Sequence, residues 1–286
     1  MSRVDLHIHT TNSDGTKTTQ EIINMCQELD IRTMAITDHD NIEGSKELIR
    51  THPSEIEVYS GVELTIKSKT GRMHMLGYNI DLDNPTLNHY LLENRKVSIY
   101  NLLLYIEIIK KDFGIVITNE EIEVIISKPG NIGRPDLANL LIRKGICTSV
   151  DDAFDRYLNY AYKKASSVKK GITYEEGIDL IKGAGGVPVL AHPNSLLLSD
   201  RALDKKVKEM SRYGLEGIET IHINESEPER KYYHELAMRY NLLETGGTDY
   251  HGDNKPNVLL GSGINNNVHI KPKQLSLTRK IESRYK

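Results

Sequence analysis

Residues 4–15 read VDLHIHTTNSDG, and the rest of the chain is organised around this stretch. Side chains alternate across a β-strand, so the apolar residues of the stretch share one face: Val4, Leu6 and Ile8. His7 and His9 share the opposite face, and the loop formers at 12–15 then turn the chain and present Asp14. Imidazole nitrogen with carboxylate oxygen suits Zn, Mn or Fe. For an isolated His-x-His pair a core histidine beside a surface histidine is the simpler interpretation, so the rest of the chain decides.

The composition is typical of a folded protein. The chain has 286 residues, of which 38% are hydrophobic and 27% charged, which argues against a disordered chain. A net charge of −3 excludes a broad basic surface for duplex nucleic acid. No signal-peptide pattern opens the chain, and no apolar run approaches the ~20 residues that span a bilayer. Cys26 and Cys147 are too few for a disulfide framework. We therefore expect a cytoplasmic protein without a membrane partner.

Strands and helices alternate over residues 1–80. The Thr18–Glu21 pattern predicts a capping box that starts a helix ending near Leu29. The other predicted elements are a strand at 33–37, a helix at 44–51, a strand at 57–65 and a hairpin leading into a strand at 73–78. This alternation favours a parallel sheet or a (βα) barrel.

The alternation stops between residues 81 and 170. Helices are predicted at 86–113, 119–127, 134–144 and 150–158, with no convincing strand among them. We expect a helical insertion that lies over the site as a lid and binds substrate. The strand and helix pattern resumes over 171–286, with helices at 174–183, 201–213 and 228–240 and strands at 187–191, 217–223 and 243–248.

Histidines and acids collect where predicted strands end, which is where (βα) barrels carry their chemistry. The candidate ligands are His7, His9, Asp14, His39, Glu63, His74, His192, Asp249 and His251. Six imidazoles and three carboxylates exceed the about four ligands of one zinc ion, so two or three divalent ions would have to share carboxylates. Glu63 is a natural bridge. A proline follows His192 and would stop that strand and fix the direction of the ligand.

The neighbouring residues leave alternatives open. Asp38 and Asp40 either orient the His39 ring or are loop acids, and Asp5 could serve the first histidine pair in the same way. The side chain of Glu219 either shares a strand face with Ile221 or points into the site. The remaining histidines fit no strand-end pattern and are interpreted as structural or surface residues: His52, His89, His222, His234 and His269.

Five motifs together resemble those of the PHP (polymerase and histidinol phosphatase) family. They are Asp5-Leu6-His7-Ile8-His9-Thr10, Thr37-Asp38-His39-Asp40, Gly61-Val62-Glu63, Ala191-His192-Pro193 and Asp249-Tyr250-His251. They occur in the family's order and extend from residue 4 to residue 251. The resemblance implies an α/β fold, a distorted seven-stranded (βα) TIM-like barrel, with a trinuclear metal site that hydrolyses phosphate esters.

The resemblance also implies a ligand set for each ion, whether Mn, Fe or Zn. The first set is His7, His9, Glu63 and Asp249. The second is Glu63, His74 and His192, and the third is Asp14, His39 and His251. A water bridging two ions would be acidified towards a pKa of about 7, and the resulting hydroxide would attack phosphorus.

The helical insertion resembles one branch of the family, which contains nucleoside 3′,5′-bisphosphate phosphatases and short-oligonucleotide 5′ exonucleases. In that branch an Arg-Pro-His motif meets the phosphate, and the corresponding residues of this chain are Gly133-Arg134-Pro135-Asp136. Arg134 matches and can form a bidentate phosphate contact. Asp136 departs from the motif and places a carboxylate where an imidazole is expected. Proline in the first turn followed by an acid is also an ordinary helix start.

The sequence thus predicts a metal-dependent phosphoesterase acting on a small phosphorylated substrate. The expected substrate is a 3′,5′-bisphosphonucleoside or the 5′-terminal residue of a short oligonucleotide, and the predicted catalytic residues are Asp14, His39, Arg134 and His251. Three alternatives are a histidinol-phosphate phosphatase, a metal-barrel C–N hydrolase and a non-enzymatic, polymerase-associated metal module. The insertion and Arg134 argue against the first, the absence of a carboxylated-lysine bridge against the second, and the full ligand set against the third.

Overall fold

Two β-sheets form the centre of a mixed α/β fold in the computed structural model, which describes residues 3–128, 130–165, 171–270 and 275–277. The first sheet is parallel and has the order β1 (Arg3–Ile8), β2 (Ile31–Ile36), β3 (Glu57–Tyr59). The second has the order β4 (Gly61–Ile66), β5 (Met73–Tyr78), β6 (Val187–Leu190), β7 (Gly217–Ile221), β8 (Leu243–Gly246). β5 runs antiparallel to β4 and β6, whereas β6, β7 and β8 are parallel.

Short backbone bridges join the two sheets at both sides. Beside β1 and β8, the amide of His9 donates to the carbonyl of Tyr250 at 2.9 Å. Beside β2 and β4, the amide of Glu63 donates to Asp38 at 3.2 Å and the amide of Asp40 donates to Glu63 at 2.8 Å. The strand ends that carry the candidate ligands are therefore tied directly to one another.

The sequence prediction of one strand over residues 57–65 is wrong, because the strand is interrupted at Ser60. The two pieces, β3 and β4, pair in different sheets. Ser60 Oγ donates to the carbonyl of Ile80 at 2.7 Å, and the Gly61 amide donates to Ser45 Oγ at 2.8 Å. A Cβ on Gly61 would lie 2.7 Å from the carbonyl oxygen of Ile36, so only glycine fits this crossing. The predicted hairpin into the strand at 73–78 is confirmed, since β4 and β5 pair antiparallel.

Two helices cover the first sheet. α1 (Thr19–Glu28) has the predicted capping box, in which Thr18 and Glu21 satisfy each other's backbone amides. α2 (Glu43–Thr51) follows β2. Ile22, Ile23 and Leu48 from these helices are buried with Ile36 of β2, which fixes the apolar side of the first sheet.

Helices dominate the described part of the insertion, residues 81–165. They are α3 (Pro85–Phe113), α4 (Asn119–Ile126), α5 (Arg134–Arg143), α6 (Val150–Ala153), a π-helical turn (Phe154–Leu158) and α7 (Asn159–Lys164). The predicted helix at 150–158 therefore continues through the π turn. These helices have a hydrophobic core of their own, which includes Leu102, Ile109, Leu137 and Leu141. The proposed insertion boundary at 166–170 lies outside the described residues.

Three helices of the described region after residue 170 pack against the second sheet. They are α8 (Tyr174–Gly183), α9 (Asp200–Tyr213) and α10 (Glu227–Tyr240), and their residues Ile178, Ile181, Val207 and Leu236 share one buried core with Val62 and Leu64 of β4. This packing leaves the polar side of the strand ends facing a cleft. Among the described helices, we find none that combines the length and the apolar character needed to cross a membrane.

Candidate metal centre

The nine predicted ligands lie in one cluster, with Glu63 at its centre. His7 lies on β1 and His9 just beyond it, while Glu63 lies on β4 and His74 on β5. The other ligands follow strands or lie in the first loop. His192 and Asp249 have φ values of 25° and 51°, a conformation that residues other than glycine rarely adopt and that is found at functional sites. The backbone therefore bends at these points to direct side chains into the cleft.

The first group contains His7, His9, Glu63 and Asp249. Their candidate ligand atoms all lie within 4.8 Å of one another. His7 Nε2 and His9 Nε2 lie 3.3 and 3.1 Å from Glu63 Oε2. The same two nitrogens lie 3.5 and 3.2 Å from Asp249 Oδ1. Two nitrogens and two carboxylate oxygens thus converge on one point.

The second group uses the other oxygen of Glu63. His74 Nδ1 and His192 Nε2 each lie 2.9 Å from Glu63 Oε1 and 3.3 Å from each other. Glu63 therefore directs one oxygen to each of two nitrogen clusters, which is the geometry of a bridging carboxylate.

The third group collects around Asp14. His251 Nε2 lies 3.2 Å from Asp14 Oδ1, and His39 Nε2 lies 4.0 Å from Asp14 Oδ2. His9 joins this group through Nδ1, which is 3.7 Å from Asp14 Oδ1. His39 Nδ1 also lies 3.0 Å from Glu63 Oε2, so the third group adjoins the first.

The donor atoms suit divalent cations. Several of the converging atoms are buried and have no hydrogen bond, namely His7 Nε2, His9 Nε2, Asp14 Oδ1, His39 Nδ1 and Glu63 Oε2. Buried polar atoms normally have partners, so these atoms call for a ligand. Imidazole nitrogen with carboxylate oxygen is the donor set of Zn, Mn and Fe sites. The assignment of each residue to a particular ion stays a prediction.

The electrostatics match a cation site. Burial would raise the pKa of Glu63, yet the neighbouring histidines hold that pKa well below its usual value. The pKa of Asp14 is also well below its usual value, because His251 and His39 outweigh the effect of burial. Burial opposes protonation of His7, but Glu219, Glu63 and Asp249 raise its pKa well above the usual value. Burial lowers the pKa of His251 to about 4. These carboxylates are thus charged, which is the form that binds metal ions.

Buried acids support the ligands from behind. Glu219, whose direction the sequence left open, faces the site, where it accepts from His7 Nδ1 at 3.0 Å and from the His192 amide at 2.7 Å. These bonds fix the orientation of two ligands at once. Asp5 accepts from the amide and hydroxyl of Thr248 at 2.9 and 2.6 Å, which holds the end of β8 beside β1.

Asp38 and Asp40 hold loops, which favours the second of the two interpretations that the sequence left open. Asp38 accepts from the Thr10 amide at 2.8 Å and from Ser13 Oγ at 2.6 Å, next to Asp14. Asp40 accepts from the Thr65 amide and hydroxyl at 2.9 and 2.7 Å.

The interpretation of His222 as unrelated to the site is wrong. This side chain is 2% exposed, its Nε2 lies 3.5 Å from Asp249 Oδ2, and its ring centre is 5.4 Å from that of His192. The missed signal is its position directly after Ile221, the last residue of β7. His89 and His269 are exposed, and His52 and His234 bond to Ile49 and Glu244, away from the candidate ligands.

Arg134 and Asp136 belong to the start of α5. The Arg134 guanidinium lies 5.0 Å from the ring centre of Phe154 and 4.4 Å from that of Tyr162. Burial and the charge of Arg72 lower its pKa. Asp136 caps the helix by accepting from the Gly133 amide at 2.8 Å and pairs with Lys128.

The loop between α4 and α5 contacts the first loop of the centre. Lys128 Nζ donates to the Ser13 carbonyl at 2.7 Å, and the Asn131 amide donates to Asn12 at 2.9 Å. A cleft of about 390 Å³ opens over the candidate ligands, and Arg72, Lys255 and the helix residue Asp151 also line it. The insertion and the strand ends therefore both contribute residues to the walls of the cleft.

Comparisons with known proteins agree with this geometry. The family model described as PHP domain matches residues 5–219. The 5′-3′ exoribonuclease Rnm of Escherichia coli is 30% identical over 251 residues, covering 86% of this chain and 84% of that protein. The 3′,5′-nucleoside bisphosphate phosphatase of Chromobacterium violaceum is 24% identical over 285 residues, with 99% and 98% covered.

A solved structure resembles the whole chain. It is described as a metal-dependent phosphoesterase from Bifidobacterium adolescentis and superposes with a TM-score of 0.79 at 27% identity. The alignment covers 99% of this chain and 96% of that one. The likeness therefore includes the helices between β5 and β6 as well as the strands.

Proposed function

This chain belongs to the PHP domain family and is a metal-dependent phosphoesterase, and we propose that its substrate is a nucleotide. The proposed reaction is hydrolysis of a phosphate ester in a 3′,5′-bisphosphonucleoside or at the 5′ end of a short oligonucleotide. The observation that carries the proposal is the convergence of five histidine nitrogens on the two oxygens of Glu63, beside the carboxylates of Asp14 and Asp249. The names of the two curated relatives support the nucleotide.

Two or three divalent ions, Mn, Fe or Zn, would be held by the three groups of side chains. We assign His7, His9, Glu63 and Asp249 to the first, Glu63, His74 and His192 to the second, and Asp14, His39 and His251 to the third. Such ions supply Lewis acidity towards phosphoryl oxygens and lower the pKa of a bound water. Asp38 and Glu219 keep the ligands in place without touching the ions.

Arg134 is the proposed phosphate-binding residue outside the metal groups. Its guanidinium contacts the rings of Phe154 and Tyr162, and its Nη1 donates to Asn159 Oδ1 at 3.3 Å. The edge formed by Nε and Nη2 can donate two parallel hydrogen bonds to a phosphate. Its charge interacts with that of Arg72, which lines the cleft. A pair of arginines near the cleft would attract an anionic substrate despite the overall charge of −3.

The architecture proposed for this function is a distorted seven-stranded barrel with a lid. The bridges beside His9 and beside Glu63 support closure of the two sheets into one ring. The proposed division is a barrel part at 1–80, a substrate-binding insertion at 81–170 and a second barrel part at 171–286. The separate core of the insertion supports this division. The two free cysteines are compatible with the proposed cytoplasmic location.

A phosphate-release screen with added Mn²⁺ tests the proposal. The substrates are 3′,5′-bisphosphorylated adenosine, a short 5′-phosphorylated oligoribonucleotide, histidinol phosphate and sugar phosphates. We expect kcat/KM for the best nucleotide to exceed that for histidinol phosphate and sugar phosphates by at least a hundredfold, with the Asp249→Ala variant as the blank. Preferential hydrolysis of histidinol phosphate, or equal hydrolysis of all four, would overturn the nucleotide assignment.

A further inference from the structure

His222 presents an unused hydrogen-bond donor to the cleft. The side chain is 2% exposed, it lines the cleft beside His192 and Asp249, and its Nε2 has no hydrogen-bond partner. A buried polar nitrogen without a partner is costly, so its retention at this place calls for an explanation. His222 belongs to none of the three proposed metal groups.

The local backbone determines which nitrogen of the ring carries the proton. The amide of Asn224 donates to His222 Nδ1 at 3.3 Å, so Nδ1 holds a lone pair and the proton of the neutral ring lies on Nε2. Asn224 is itself fixed, because Asn194 Nδ2 donates to its carbonyl at 3.0 Å.

Both backbone ends of His222 are also anchored. Its amide donates to Glu225 Oε2 at 2.8 Å, and its carbonyl accepts from Arg230 Nη2 at 3.0 Å. The ring direction is thus set before any ligand arrives, which is what a preorganised donor requires.

Asp249 does not use up this donor. Its Oδ1 faces His7 and His9, and its Oδ2 accepts from Lys255 Nζ at 2.6 Å. His222 Nε2 stands 3.5 Å from the same Oδ2, too far for a good hydrogen bond. The Nε2–H group therefore remains available to a molecule in the cleft.

We propose that His222 contacts the substrate as a neutral hydrogen-bond donor, from Nε2–H to an oxygen of the phosphoryl group. During hydrolysis the ester P–O bond breaks and an oxygen of water bonds to phosphorus, while the proton of the water passes to the leaving alcohol or to solvent. No proton moves onto or off His222, since its Nδ1 is occupied by the Asn224 amide. The fixed donor stabilises charge on the phosphoryl oxygen.

Two substitutions separate this contact from a structural role. Gln at position 222 can place an N–H where Nε2 was, whereas Met fills the space without a donor. The probe is inorganic phosphate, titrated calorimetrically into zinc-loaded protein, with metal content measured in each sample. We expect His222→Met to weaken phosphate binding about tenfold or more, and His222→Gln to remain within about threefold of the original protein. His234→Met, a change at an exposed histidine, is the matched control.

Several outcomes would overturn the proposal. One is unchanged phosphate affinity in His222→Met, and another is an equal loss in both variants accompanied by loss of zinc, which would mean that His222 only positions Asp249.

A nitrogen NMR spectrum of the unaltered, zinc-loaded protein gives a test that needs no variant. It should show the Nε2–H form of His222 and a shift of that proton on adding phosphate, and the Nδ1–H form would contradict the inference. Because no nucleotide is used, failure of the proposed nucleotide substrate leaves these results interpretable.

Discussion

The metal centre and the helical insertion are built on different principles. In the centre, ligands follow strand ends that are tied to one another by backbone bonds, and His7, His9 and Glu63 are fully buried. In the insertion, Arg134 is held by aromatic rings on neighbouring helices, and Tyr162 is 50% exposed. We therefore expect the centre to be preformed before substrate binds and the insertion to adjust to the substrate. Chemistry should depend on the centre, and substrate choice on the insertion.

The largest effect should follow loss of a ligand in the centre. We expect Asp249→Ala or His39→Ala to reduce phosphate release at least a hundredfold, because each change removes a donor from a group that shares Glu63 with its neighbours. Turnover with Mn²⁺ and metal content by mass spectrometry are the measurements. Glu28→Gln, an exposed acid at the end of α1, is the control and should keep full activity. Retention of more than a hundredth of the activity in either alanine variant would count against these ligand roles.

Metal removal should affect the centre more than the insertion. A chelator should abolish phosphate release and lower the melting temperature by several degrees, since a ligand at a hundred times its Kd stabilises the folded state by about 2.7 kcal/mol. Mn²⁺ added back should restore both, as followed by calorimetry and activity. Hydrogen exchange should show the loss of protection in β1 and β4 rather than in α4. Full activity after exhaustive chelation would be incompatible with the assigned chemistry.

The Arg134→Lys variant tests the role of the insertion in substrate binding. A lysine keeps the charge but cannot make two parallel hydrogen bonds, so we expect kcat/KM for the nucleotide to fall about tenfold, mainly through KM. Metal content should not change. Arg143→Lys, at the exposed end of the same helix, is the matched control. If Arg134→Lys behaves like this control, Arg134 serves only to pack Phe154 and Tyr162.

Asp136→Asn should give the smallest effect. The structure makes Asp136 a helix cap paired with Lys128, so the change should cost about 1–2 kcal/mol in the free energy of unfolding. Activity should stay within about threefold, because Lys128 keeps its bond to the Ser13 carbonyl. Thermal unfolding and kcat/KM, each compared with exposed Asp155→Asn, are the readouts. A fall in kcat/KM beyond tenfold without a change in stability would instead place Asp136 against the substrate.

The same contrast explains what the sequence could predict. Strand periodicity predicts the faces of His7 and His9, and the rule that chemistry collects at strand ends predicts that His39, Glu63 and His192 lie close together. The fold class follows from alternating elements. Local signals also predict the capping box of α1 and the extent of α3 within one or two residues.

Other features depend on contacts that no local pattern contains. The break at Ser60 comes from close packing of Gly61 against Ile36, and the antiparallel pairing of β5 with β6 joins strands about 110 residues apart. His222 was missed because its strand was predicted to continue to residue 223, which hid its place at a strand end. The partners of Asp38 and Asp136 also lie outside the local sequence: Asp38 bonds to Thr10, and Asp136 pairs with Lys128 in the loop before α5.

The central claim is that side chains distant in sequence hold a cluster of divalent ions shared through Glu63. Anomalous diffraction from crystals loaded with Mn²⁺, measured at wavelengths on both sides of the manganese edge, tests this most directly. We predict two or three peaks in the cleft, with one on each side of the Glu63 carboxylate. A single peak away from Glu63, or none after full loading, would contradict the account.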